Sequence, residues 1–461
     1  MTEARSKATP EEESLFSLSW PIFVEMALMT AIGTLCLWLA GTLSVGAVAI
    51  FGLSNQFRLV LDRIFRVVSI GASVLVTQHR GAGDAAGAID LARAGFTTAL
   101  WLGAAAALLL GAWPEGMLRL LNLPPELMAE AAPFMRVLAV GLAIEAVNLT
   151  MFSVLRAFKY TQVSMRLVMA ENALHLIVAV PLVLGAGSWP GLGLIGLAWG
   201  FLVSRAVIFV LLIVVWRQRL QIGLRLRDAF RIAREPLRAI ARLGLPSAGE
   251  KIIFRVCFMA TVAMAGSMGA AALATHAWTM NIMSVVFTFV GALSAGAEIL
   301  IGHRTGAGHV RAADDMIRHA TRLGLIGTIV LSILTWLVAP HLIFALSHDP
   351  TVKTLLSSIL LIEIFAAAGR SANVTLMGGL RATGDAVFPV QMSVFFNVVM
   401  GTGLAWLLGV FFGLGLPGLW LGYLADESLR GLGMFWRWKT HGWVPLAHES
   451  RRRILRRLRT A

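Results

Sequence analysis

The chain has 461 residues, of which 57% are hydrophobic and only 14% charged, with a mean hydropathy of +0.78. A soluble protein carries nearer a quarter charged residues, and no hydrophilic block here is long enough for a soluble domain, so a polytopic helical membrane protein is expected. The formal charge of +14 then belongs to loops, because Lys and Arg collect on the cytoplasmic side of membrane proteins; nucleic acid is not an expected partner.

Residues 1–18 are polar and lack the short apolar core of a secretory signal, so the first hydrophobic run reads as an uncleaved span. Twelve runs follow, near 20–42, 46–78, 92–113, 134–156, 167–187, 193–216, 246–267, 271–303, 320–341, 357–380, 388–411 and 416–437. Each is about long enough to cross a hydrocarbon core as helix. The second and eighth are long enough to project beyond the bilayer. Cys36 and Cys257 both lie in apolar spans, which leaves neither a disulfide framework nor a thiolate metal site.

Charges inside spans are costly and mark structure or function. In the second span, Asn55, Arg58, Asp62, Arg66, Ser69, Ser73 and Thr77 share a stripe about 100° wide on a helix. Arg58–Asp62 and Asp62–Arg66 are both i,i+4 pairs. With Arg63, the segment holds three arginines against one acid. The stripe faces either a neighbouring helix, as an Arg–Asp–Arg clamp, or a water-filled cleft. The fourth span carries Glu145, and the fifth carries Glu171, Asn172 and His175 on one face. His175 is either a satisfied buried side chain or a group that titrates near neutral pH. The seventh span carries Arg255, the eighth Asn281 and the tenth Arg370. Glu25 and Glu250, each one turn after a proline, are expected to bond donors near the cytoplasmic face, and Asp426–Arg430 reads as a structural i,i+4 pair.

Loops after even-numbered spans hold Arg80, Arg93, Arg156, Lys159, Arg304, Arg311 and Arg381, and the chain ends in RRRILRRLRT. Eight arginines fall between Arg217 and Arg242. Loops after odd-numbered spans are nearly bare, which places both termini in the cytoplasm and the 343–356 loop outside. The chain repeats itself at an offset of 225: Pro21 matches Pro246, Glu25 Glu250, Gly81-Ala82-Gly83 Gly306-Ala307-Gly308, Asn148 Asn373, Arg156 Arg381 and Arg205 Arg430. Six spans per copy give both copies one orientation, with a pseudo-twofold axis along the membrane normal. The expected division is a tail at 1–18, a first lobe at 19–216, a basic linker at 217–245, a second lobe at 246–437 and a basic tail at 438–461. Glu145 and Arg370 are repeat mates, so either they form a clamp across the axis or each finds a partner in its own lobe. No HExxH, GxxxxGK[ST] or Gly-x-Ser-x-Gly set occurs, and GAGD (residues 81–84) reads as a tight interhelical turn rather than a phosphate loop.

The chain resembles the multidrug and toxic compound extrusion (MATE) family, within the wider multidrug/oligosaccharidyl-lipid/polysaccharide exporter superfamily. The resemblance rests on an ordered set: WPIFVEMALMTAIG and LPSAGEKIIF opening the two copies, HRGAGD and RTGAGH after the second and eighth spans, and GGLRATGDAVFPV between the tenth and eleventh. It covers roughly 15–440. It implies an all-α fold of two six-helix lobes in a V around a cleft, to which the second span contributes. It also implies secondary efflux of a small solute in exchange for H⁺ or Na⁺, with no other cofactor, by a monomer of the bacterial inner membrane. Two positions depart from the family. Many members have an Asp where Cys36 stands, and others an Asp where Arg370 stands. Coupling is therefore expected to rest on Glu171 or Glu145, with Asp62 behind them because adjacent arginines hold it ionised. The expected cargo site is Asn55, Arg58, Asp62, Arg66, Glu145, Arg255, Asn281 and Arg370, with Asn172 and His175 beside the coupling acids. A net-positive stripe points to an anionic or zwitterionic cargo, since sites for lipophilic cations are usually acidic or aromatic. The alternatives are a flippase for lipid-linked or polyanionic cargo and a non-transporting scaffold or receptor. Anionic headgroups are the expected contact of the Arg-rich linker and tail.

Overall fold

The computed structural model describes residues 14–224, 234–344 and 350–460. Thus Arg225, Arg227, Arg231, most of the first tail and part of the 343–356 loop lie outside the described residues. Among the described residues the chain is helical, with one isolated bridge between Ala186 and Trp189.

The first copy comprises α1 (Leu15–Gly41), α2 (Val45–Gly81), α3 (Ala85–Ala112), a short α4 (Pro114–Leu120), α5 (Met128–Ala157), α6 (Thr161–Leu184) and α7 (Ile195–Arg219). The second comprises α8 (Arg234–Ser267), α9 (Ala270–Ala307), α10 (Val310–Phe344), α11 (Pro350–Ala382), α12 (Val387–Phe396) and α13 (Gly415–Lys439). π-Helical turns at Asn397–Leu404 and Leu407–Phe411 extend α12, and α14 (Val444–Thr460) closes the chain. Leaving α4 and α14 aside, twelve helices correspond to the twelve expected spans. Nine are apolar enough to cross a membrane by composition alone; α2, α8 and α13 have the length, 37, 34 and 25 residues, but carry charges. At about 1.5 Å per residue, α2 exceeds a bilayer core, as expected.

Helix starts follow local chemistry. Ser44 caps α2 by accepting from the Ala47 amide at 2.9 Å, which satisfies an otherwise orphaned donor. Asp84 does the same for α3, accepting from the Gly87 amide at 2.8 Å while its other oxygen meets His79 Nδ1. Gly83 between them has φ +80°, a backbone that favours glycine. GAGD is thus a tight turn and helix cap. The linker expected at 217–245 is shorter than expected: Arg217–Arg219 continue α7, and residues 234–245 are the first turns of α8.

The two copies exchange packing partners at the end that carries Arg80, Arg156, Arg304 and Arg381. Leu15, Leu18 and Ile22 at the start of α1 are buried in the second copy's core with Leu293, Ala297 and Leu376, whereas Cys36, Leu39 and Ala40 at its other end belong to the first copy's core. Reciprocally, Ile240 of α8 is buried among Val68 and Ala72 of α2. Glycines permit the approach of α2 and α9: Gly81 lies against the His303 carbonyl, Gly302 against Thr77 and Gly306 against the Gln78 carbonyl. Two hydrogen bonds join the copies there, the buried Gln78 Nε2 to Ala382 O at 2.8 Å and the half-buried His303 Nε2 to Ala157 O at 2.9 Å. On α9 the buried residues crowd into Ala292–Gly306 and thin out toward its start. The lobes therefore meet at the basic end and part toward the other, which makes the V.

Candidate functional site: two buried charge networks

In the first lobe, α5, α6 and α7 each contribute one charged group to a shared centre. Arg205 Nε donates to Glu145 Oε2 at 3.1 Å and lies 3.6 Å from Glu171 Oε1. Its guanidinium also donates to Ser204 Oγ and stacks over Phe201, 4.2 Å from the ring centroid. All three charged side chains are buried, so the arginine serves as the counter-ion that two carboxylates need in a low-dielectric interior. Asn148, the mate of Asn373, holds α7 in place by donating to the Arg205 carbonyl at 3.0 Å.

Arg205 of this centre lines a cavity of about 70 Å³ together with Cys36, Ser54, Asn55, Arg58, Asn172, His175 and Phe201. That is room for on the order of five waters. His175 Nε2 sits 3.7 Å from Cys36 Sγ, while its Nδ1 has no hydrogen-bond partner. Asn172 donates to Val168 O of its own helix at 2.8 Å.

The stripe on α2 divides. Asp62 accepts from Arg66 at 2.8 Å, but Arg58 turns one turn the other way and donates to Asn55 Oδ1 at 2.8 Å. The three-residue Arg58–Asp62–Arg66 clamp is thus corrected to a pair plus a separate arginine, because Arg58 reaches the cavity. Ser69 and Thr77 pack on protein: Ser69 Oγ is 3.2 Å from Thr150 Oγ1, and Thr77 meets Gly302. Arg63 and Arg255 are exposed, on α2 and α8, within electrostatic range of each other. Arg255 also lies over Phe258, 5.7 Å from the centroid. Asn281 stands apart from these groups, exposed and bonded to Ala277 O of its own helix at 2.9 Å.

The second lobe has its own network. Arg370 Nε donates to Glu427 Oε1 at 3.0 Å, stacks on Phe287 and lies 3.9 Å from Glu363. Asn373 donates to Glu427 Oε2 at 3.0 Å. Arg430 reaches Asp426 at 2.6 Å and Glu427 at 3.0 Å. Asp426–Arg430 is thus one edge of a larger cluster. Neither Glu363 oxygen has a hydrogen-bond partner, although the side chain is fully buried. Three acids face two arginines here, so one further positive charge is needed to balance the cluster.

Of the two arrangements open to Glu145 and Arg370, the clamp is not formed and the local one is. Each residue takes a closer partner on a neighbouring helix of its own lobe, Arg205 for Glu145 and Glu427 for Arg370. At the basic end Glu25 binds Arg156 at 2.7 Å and Glu298 binds Arg381 at 3.1 Å, so the repeat-mated arginines both hold a glutamate. Glu250, by contrast, has its ion pair among the described residues with Lys251, at 3.5 Å. Sequence reasoning missed Glu363 and Glu427 altogether and noted Arg205 only as a repeat mate. A lone ionisable residue in an otherwise apolar run was the available signal for Arg205 and Glu363.

A model of the MatE family matches residues 21–180 and 246–407. An uncharacterized transporter, YisQ, of Bacillus subtilis (strain 168) is 30% identical over 441 residues, covering 96% of this chain and 97% of that one. A probable multidrug resistance protein, NorM, of Thermotoga maritima is 25% identical over 455 residues, with 96% and 97% covered. Among solved structures, a MATE in the bent conformation aligns with a TM-score of 0.85 at 20% identity, over 95% and 96% of the two chains. A transporter of Pyrococcus furiosus Vc1 (DSM3638) in the MOP superfamily aligns at 0.83 and 19% identity, over 94% and 96%; it is described as having a binding pocket of reverse polarity that suggests a different function. The low identity of both structures speaks to fold alone, whereas the family match spans most of both copies. With its twelve membrane helices in two like lobes, this chain belongs to the MATE family of membrane transporters.

Proposed function

We propose that the protein is a secondary exporter of a small organic solute, exchanging it for H⁺ or Na⁺ by alternating access of the inter-lobe cleft. The observation that carries this reading is the Glu145–Arg205–Glu171 centre, whose arginine lines a cavity with room for a few waters. Two acids sharing one arginine can gain or lose a cation without unfolding the bundle, and a cation bound in only one orientation of the lobes biases the equilibrium between orientations. Glu171, whose Oε1 has no hydrogen-bond partner, ranks first for coupling, then Glu145, with Asp62 held by Arg66. The balancing charge needed in the second lobe adds Glu363 as a further candidate.

The cargo is anionic or zwitterionic. In support, Arg58 and Arg205 both line the cavity, and no ion pair to an acid is found for Arg63 or Arg255 among the described residues. The Pyrococcus furiosus transporter described with a reversed pocket offers a precedent within the fold. A guanidinium fork suits carboxylate and phosphate groups. In proteoliposomes, Arg58→Gln and Arg66→Gln should each cut export of anionic substrates by roughly tenfold, the cost of about one charge-assisted hydrogen bond, and spare cationic ones. A wild type that moves only lipophilic cations would sink this assignment. The exposed arginines also favour a flippase of lipid-linked anions; export of a water-soluble anion by the purified protein decides against it.

The protein sits in a bacterial inner membrane as a monomer with both termini cytoplasmic, its basic end against anionic headgroups. Reporter fusions after residue 350 and at the C-terminus should then report opposite sides, and agreement between them would overturn the topology.

A further inference from the structure

The last helix, expected only as a basic tail, is a built part of the fold. Trp443 is buried and stacks on Trp438 with centroids 4.3 Å apart, and its indole donates to the Trp438 carbonyl at 3.2 Å. Ala447 is buried one turn on, in the core that holds Ile317, Leu380 and Ala382. Arg451 lies over Gly308 and Ser450 over Gly384, whose φ values are +82° and +96°. The start of α14 is therefore fixed to the second lobe. Its far end leaves that lobe: Arg457 Nη2 donates to Asp90 Oδ2 of α3 at 2.5 Å, and α3 belongs to the first lobe. This ion pair lies at the end where Gly81, Gly302 and Gly306 bring the lobes together.

We propose that α14 is an electrostatic strap, anchored on the second lobe at Trp443 and tied to the first through Arg457–Asp90, which biases the basic end toward its closed state. The tie must part whenever that end opens, because its two members ride on different lobes. Arg457 and Asp90 are 42% and 49% exposed as side chains. An exposed pair shifts an equilibrium by about fivefold at most, so the strap sets a population rather than a lock. It is also screened by salt, unlike the buried Gln78–Ala382 bond beside it. The inference rests on alternating access but not on any cargo or coupling ion.

The test is a distance measurement on the full chain in lipid nanodiscs. Spin labels go on Gln162→Cys and Arg311→Cys, two exposed positions at the basic end, one on each lobe, with Cys257 replaced. Arg457→Glu and Asp90→Arg should each raise the long-distance, open population by two- to fivefold, and the double reversal should bring it back. Raising salt should move the wild type toward the open population and the single variants back from it, because screening weakens the attraction in one and the like-charge repulsion in the others. The salt arm needs no substitution at the tie, so a poorly folding variant does not spare the proposal. Single reversals with wild-type distances, a double variant as open as either single, or a salt-insensitive wild type would each overturn it.

Discussion

Arg205→Met should be among the most damaging substitutions outside the apolar core, lowering stability by about 3–5 kcal/mol, the usual cost of stripping one member from a buried ion pair. The reason is arithmetic at one place. Glu145 at 3.1 Å and Glu171 at 3.6 Å share that guanidinium, and removing it leaves two carboxylates inside a helix bundle with one counter-ion fewer. Arg205→Lys keeps the charge but loses the planar fork that spans Ser204, Glu145 and the Phe201 ring, so it should cost less. Adding Glu145→Gln to Arg205→Met should recover a substantial part of the loss, since coupled residues are not additive. Thermal unfolding of the detergent-solubilised variants checks all three. An Arg205→Met protein as stable as wild type would mean that the carboxylates are neutral in the folded state.

Gly306→Val should shift the basic end toward its open state far more than loss of the strap does. A Cβ on Gly306 falls on the Gln78 carbonyl, as one on Gly81 falls on the His303 carbonyl. Backbone cannot yield as the tip of a flexible side chain can, and overpacking of this kind costs about 1–3 kcal/mol or more. Because the clash exists only when the lobes touch, the cost falls on the closed state, and the closed-to-open ratio should drop by about ten- to a hundredfold. The expected result is a predominantly long distance between labels at Gln162 and Arg311, a larger shift than either strap variant produces. A closed distance distribution in Gly306→Val would show that α2 and α9 slide apart without opening the lobes.

These features were unequally legible. Hydropathy places the twelve spans because lipid demands long apolar helices whatever their packing. The 225-residue repeat flagged Gly81 and Gly306 together, and both sit at the lobe contact. Local spacing foresaw Asp62–Arg66 and Asp426–Arg430, since i,i+4 neighbours meet on any helix. It failed for Arg58, where Asn55 on the same helix and the adjoining cavity offered an alternative. For Glu145 and Arg370 the repeat left two arrangements open, and the one within each lobe is found. A sequence offset makes them equivalent in two lobes but says nothing of the distance between them, while helix rotation brings Arg205 and Glu427 closer. Linker and tail were misread for one reason: residues 234–245 and 444–460 lack an apolar run, yet their buried residues, Ile240 on one and Ala447 and Ile454 on the other, give each an apolar face that packs on the lobes.

The central claim is that buried carboxylates couple a cation gradient to solute movement, and pH-jump export from proteoliposomes tests it most directly. Wild type should move a fluorescent anionic substrate only when a proton gradient is imposed. Glu171→Gln should abolish gradient dependence while substrate binding survives, Glu145→Gln should weaken it, and Asp62→Asn should matter least. Gradient-driven export that persists undiminished when these three and Glu363 are all neutral would contradict the account.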